Sequence, residues 1–159
     1  MADAPHATEI ALRVFEEIRN RFPALMMTLN REPEQLDLTL DIPAQQGLLF
    51  SVHLNLQNRD ELHLSVADGF WLEWFPCTSP AIVDAYKEAV SGLIEGDFRI
   101  VEYRSNGKFV CGSLQRPDGA GWQTIGRSQG RFASPWHPTE ERVLQNVSTR
   151  SSAAPPHTS

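Results

Sequence analysis

The chain has 159 residues, 41% of them hydrophobic and 21% charged, with a formal net charge of −6, ordinary composition for one soluble domain with its own core. No apolar run approaches the length of a bilayer, Leu48-Leu49-Phe50 being typical, and the two cysteines, Cys77 and Cys111, make neither a C-x-x-C pair nor a disulfide framework. Residues 1–96 carry 15 acidic and 6 basic side chains and residues 97–131 carry 3 and 6; the first part repels duplex nucleic acid and the second offers no clustered basic stripe, which argues against a nucleic-acid role.

The opening Met1-Ala2-Asp3-Ala4-Pro5-His6 has neither the basic nor the apolar region of a signal peptide, so a cytoplasmic location is expected. From Thr8 to Phe22, Ile10, Ala11, Val14, Phe15, Ile18 and Phe22 recur at helical spacing opposite Glu9, Arg13, Glu16, Glu17 and Arg21, which predicts an amphipathic helix stopped by Pro23. A connector, 24–34, follows. The period then changes to two. Leu36, Leu38, Leu40 and Ile42 alternate with Asp37, Thr39 and Asp41; after a turn at 43–47, Phe50, Val52, Leu54 and Leu56 alternate with Ser51, His53, Asn55 and Gln57. Leu62, Leu64 and Val66 alternate with His63 and Ser65, completing a three-stranded meander with its even-numbered side in the core.

Ser79-Pro80 announces a second helix running to Glu95 and ended by Gly96, with Ile82, Ala85, Tyr86, Ala89, Val90, Leu93 and Ile94 as its stripe. Strands return at 97–104 and 108–115 around Asn106-Gly107, which suits a type I′ turn, and at 121–127 after Pro117-Asp118-Gly119. Thr139 to Val147 reads as a short helix. Ser148 to Ser159, made of Ser, Thr, Ala and Pro with single Arg and His residues, is expected to be a disordered tail outside a domain of residues 1–147. The fold class is α+β: two αβββ halves, with antiparallel sheets packed against two main helices and a short C-terminal helix.

Three groups of residues bear on chemistry. Pairing the meander through the 43–47 turn sets Leu38 against Val52 and Val52 against Val66, so that Asp37, His53 and Ser65 form a polar row. These are the catalytic candidates of a small hydrolase, although an open sheet face supplies no oxyanion hole and a solvated polar row is the simpler account. His53 and His63 with Asp37 or Asp41 are close enough across strands to serve as metal ligands, but no further His or Cys shares their face, and no metal or cofactor is expected. Phe70-Trp71-Leu72-Glu73-Trp74-Phe75 holds four aromatic rings in six residues; it either seals the core under the second helix or exposes a binding hot spot of Trp71, Glu73 and Trp74, extended by Trp122 and Trp136.

Asn146-Val147-Ser148 is a chance sequon in a polar segment. Gly119, Gly121, Gly126 and Gly130 fit hairpins and match neither nucleotide fingerprint. In element order, size and acidic balance the chain resembles the class I type III secretion chaperones, dimeric α/β proteins that hold an effector segment, while its extra strand and aromatic block depart from that pattern. The resemblance implies a protein or peptide partner, with a homodimer admitted. The first functional reading is therefore a non-enzymatic binding module, and the second is a small hydrolase or ligand-binding enzyme that uses the polar row.

Overall fold

The computed structural model describes residues 4–31, 38–130 and 138–147. Asp37, Trp136 and the segment 148–159 lie outside these residues. Helix α1 spans Ala4–Arg21 and buries Ile10, Ala11, Val14, Phe15 and Ile18 as expected from their spacing, together with Ala7; Phe22 lies just past the helix end and is only partly buried. It is followed by β1 (Thr28–Arg31), β2 (Leu38–Ile42), β3 (Val52–Gln57), β4 (Glu61–Val66) and β5 (Phe70–Trp74), an antiparallel sheet in sequence order. On its inner face Leu38, Leu40, Ile42, Val52, Leu54, Leu56, Leu62, Leu64, Val66 and Phe70 are all at most 2% exposed. At roughly 1.5–3 kcal/mol for each fully buried aliphatic side chain, this face and the helical stripes packed on it dominate the driving force for folding.

Helix α2 spans Pro80–Glu95; Ser79 makes no side-chain capping bond, and the start rests on the proline at the first position. Gly96 closes the helix in the left-handed region at φ 80°, its N–H bonded to the Leu93 carbonyl. Tyr86, Ala89, Val90, Leu93 and Ile94 are buried as expected, whereas Ala85 is exposed and Val83 packs against the core in its stead. A second antiparallel sheet follows: β6 (Arg99–Ser105), β7 (Lys108–Asp118), β8 (Gly121–Gln129) and β9 (Glu140–Leu144), in the order β8-β7-β6-β9. Asn106 and Gly107, both at positive φ (54° and 74°), make the tight turn between β6 and β7.

The architecture is α+β, with five strands after the first helix and four after the second in place of two αβββ halves. Three expectations change, each for a physical reason. The connector after α1 contains β1, a four-residue edge strand too short and too polar to show alternation. The expected C-terminal helix is β9, which pairs antiparallel with β6 from Ile100↔Leu144 to Arg104↔Glu140; the open edge of β6 supplies a row of backbone partners that outweighs the weak helical spacing. The β2–β3 register also shifts. Leu38 lies opposite Leu56 and Ile42 opposite Val52, because residues 43–51 form a longer connection than a simple 43–47 turn. Within it Gln45 and Leu48 bond each other's backbone (3.0 and 2.9 Å) and Leu48 and Phe50 plug the core. The shift is even, so each side chain keeps its face.

The two sheets meet where β5 runs beside β7 and β8. Phe70 packs edge-on to Phe109 (88° between rings), and the Trp71 N–H donates to Ser128 Oγ at 3.2 Å. A Cβ on Gly69 would come within 2.4 Å of Phe109 Cβ, so the turn before β5 requires glycine for closeness alone. Among the described residues no helix is long and apolar enough to cross a membrane.

Candidate functional site

The outer face of the first sheet carries the polar side chains. Its register forms two rows: Thr28, Asp41, His53, Ser65 and Trp71 in one, and Asn30, Thr39, Asn55, His63 and Glu73 in the other. His53 and Ser65 are opposite one another as expected, and Asp41 takes the place assigned to Asp37 because of the shifted register. Asp41 Oδ1 contacts His53 Nδ1, and Asn30 Nδ2 donates to Asp41 Oδ2 at 3.3 Å. Among the described residues no hydrogen bond joins His53 to Ser65, so the Ser-to-His link that activates a nucleophile is missing. Asp41 and His53 are also about half exposed, in a solvated row rather than a cleft.

The aromatic block resolves by strand alternation. Phe70, Leu72 and Trp74 face inward, and Trp74 packs edge-on to Tyr86 with ring centroids 5.3 Å apart. Trp71 and Glu73 face outward, Trp71 being 45% exposed. The Trp71 ring is stacked parallel on the imidazole of His63, centroids 5.9 Å apart and planes within 6°. Trp122 belongs elsewhere: it stacks under the Arg99 guanidinium at 4.1 Å, and it sits six residues along β8 from the Ser128 that meets Trp71, roughly 20 Å at 3.3 Å per residue.

His63, though on the outer face, is only 8% exposed. Trp71 covers its ring, Glu61 Oε2 is 3.1 Å from its Nε2 and Glu73 Oε2 is 3.6 Å away. Beneath, the Tyr86 hydroxyl donates to the His63 carbonyl at 2.8 Å. Glu61 is held further by Asn58 Nδ2 at 2.7 Å, and that bond, reinforced by the one from His63, lowers the carboxyl's pKa. Glu61 escaped the sequence pattern because it sits at a strand start that reads as turn.

Two other clusters bear on function by exclusion. Glu102 is fully buried in β6, paired with Arg104 at 3.0 Å and Arg142 at 2.7 Å, while Arg104 also grips Asp68 in a two-pronged pair (3.0 and 2.6 Å). This network ties the β4–β5 turn to β6 and β9. A cavity of about 420 Å³ between α1 and α2 is lined by Ile18, Gly92 and Phe98 and by charged groups; Arg21 pairs there with Glu95 (2.6 Å) and Lys87 with Glu17 (2.9 Å), which occupies those side chains in helix-to-helix ties. Comparison with protein-family models, with curated proteins and with solved structures finds no match for the chain.

Proposed function

We propose that the protein is a non-enzymatic binding module that engages a protein or peptide segment on the outer face of β4 and β5, with Trp71 as the anchor. The observation that carries this reading is the half-exposed Trp71 ring, held rigid by its stack on a buried histidine and not needed to close the core. A large ring whose ordering is already complete loses little entropy on binding, which is why tryptophans of this kind concentrate affinity. Asp41, Glu61 and Glu73 share the face, so the complementary segment has an apolar side chain for Trp71 and a basic residue flanking it. The contact is made by the face, since the Trp71 N–H on the outer edge of β5 is already bonded to Ser128.

Affinity purification from the cell that makes the protein, with mass spectrometry, tests the reading when wild type and Trp71→Ala are run in parallel. A stoichiometric protein partner is expected on the wild type and is depleted on the variant, whose affinity falls by about 2 kcal/mol, roughly thirtyfold. Equal recovery on both baits removes Trp71 from the interface.

A further inference from the structure

Beyond partner binding, we propose that Glu61, His63 and Glu73 form a binding site for a divalent transition-metal ion of the zinc class. The three side chains reach one point by sheet geometry. Glu61 and His63 are two residues apart on β4 and so share a face, and Glu73 is directly opposite His63 on β5. One ligand atom from each lies within 4.8 Å of the others. His63 Nε2 stands 3.1 Å from one carboxylate oxygen and 3.6 Å from the other. Bonds of about 2.0–2.2 Å in a tetrahedral shell set ligand atoms roughly 3.4 Å apart, so both spacings already suit coordination.

Hydrogen bonding alone leaves this arrangement incomplete. The His63 Nε2 carries at most one proton, which it can donate to one of the two carboxylates, while the carboxylates repel each other. A dication at their centre takes a lone pair from each of the three groups and cancels both negative charges. The surroundings are those of a supported ligand set: Asn58 orients Glu61, the Trp71 ring fixes the imidazole plane, and Tyr86 holds the His63 backbone. Glu73 is the most exposed of the three, 40% at its side chain, and supplies the open approach. One nitrogen and two oxygens select a borderline ion such as Zn²⁺ or Co²⁺ over Mg²⁺ and Ca²⁺, which prefer all-oxygen shells.

The test is titration of the purified full chain with Zn²⁺ by calorimetry, with Co²⁺ as a spectroscopic probe and Mg²⁺ as the comparison ion. One equivalent of Zn²⁺ is expected to bind, the melting midpoint to rise with its concentration, and Co²⁺ to give visible absorption bands of a low-symmetry N/O site; Mg²⁺ produces no change. Because His63→Ala risks unfolding a packed strand, Glu73→Gln is the deciding variant, and at least a tenfold loss of Zn²⁺ affinity is expected with the apo melting midpoint retained. Undiminished Zn²⁺ binding by Glu73→Gln, or no stoichiometric binding by the wild type, overturns the proposal. Zn²⁺ titration of the purified chain needs no partner, and partner recovery on wild type and Trp71→Ala is read without added metal, so failure of one reading is separable from failure of the other.

Discussion

Asn146 shows how a single side chain closes a chain of this size. It is only 4% exposed; its Nδ2 donates to the carbonyls of Ile94 (2.6 Å) and Gly47 (2.7 Å), and its Oδ1 accepts from the Leu49 N–H at 3.2 Å. It thereby joins the end of α2, the 43–51 connection and the residues after β9. As a sequence it reads as a sequon in a polar segment, because nothing local reports bonds to residues 52, 97 and 99 positions away. Net gains of about 1 kcal/mol per bond, with buried partners left unpaired on removal, give an expected loss of roughly 2–4 kcal/mol for Asn146→Ala. Urea unfolding with an unchanged m-value measures it; a loss under about half a kcal/mol shows the three bonds to be replaceable by water.

At the scale of elements, β9 is the one whose role differs most from its sequence. Glu140, Glu141 and Arg142 show no alternation, and the strand exists because β6 offers an edge and Glu102 a buried carboxylate for Arg142. Deleting residues 148–159 is expected to leave the melting midpoint unchanged, whereas deleting 139–159 lowers it by more than about 5 °C, since the β6 edge, Glu102 and the Asn146 sites all lose partners. Thermal melts of the two truncations decide this, and equal midpoints contradict it. The long periodic segments were legible: α1, α2, the even-numbered core face of the first sheet and the Asn106-Gly107 hairpin all follow from spacing and turn chemistry. The β2–β3 register was not legible, because it depends on how Leu48 and Phe50 pack in the connection. The site was legible by half. Alternation alone separates Trp71 and Glu73 from Trp74, but the meeting of His63 with Glu61 and Glu73 needs the true start of β4 and its pairing with β5.

For the whole molecule, the tie between the two sheets has a pH signature. The Arg104 guanidinium, bonded to Asp68, holds that carboxyl below its ordinary pKa, so the folded state favours the charged form. Its contribution to stability is complete above the unfolded-state pKa and is lost as pH falls through the depressed folded value. The melting difference between wild type and Asp68→Asn is therefore expected to be largest near neutrality and to shrink through the acid range; a constant difference from pH 7 to pH 2 rules out the ion pair as its source. Asp68 is largely solvent-exposed, so the effect is modest.

The proposed division of labour across the first sheet, a structural inner face and an outer face for binding, is tested most directly by comparing Trp71→Ala with Trp74→Ala in melting and in titration against any co-purified partner. Trp71→Ala is predicted to keep the far-ultraviolet circular dichroism and the melting midpoint close to wild type while weakening the partner about thirtyfold. Trp74→Ala, which opens a gap against Tyr86, is predicted to cost about 3 kcal/mol of stability or more. Collapse of the fold in both variants, or full partner affinity in Trp71→Ala, contradicts the account.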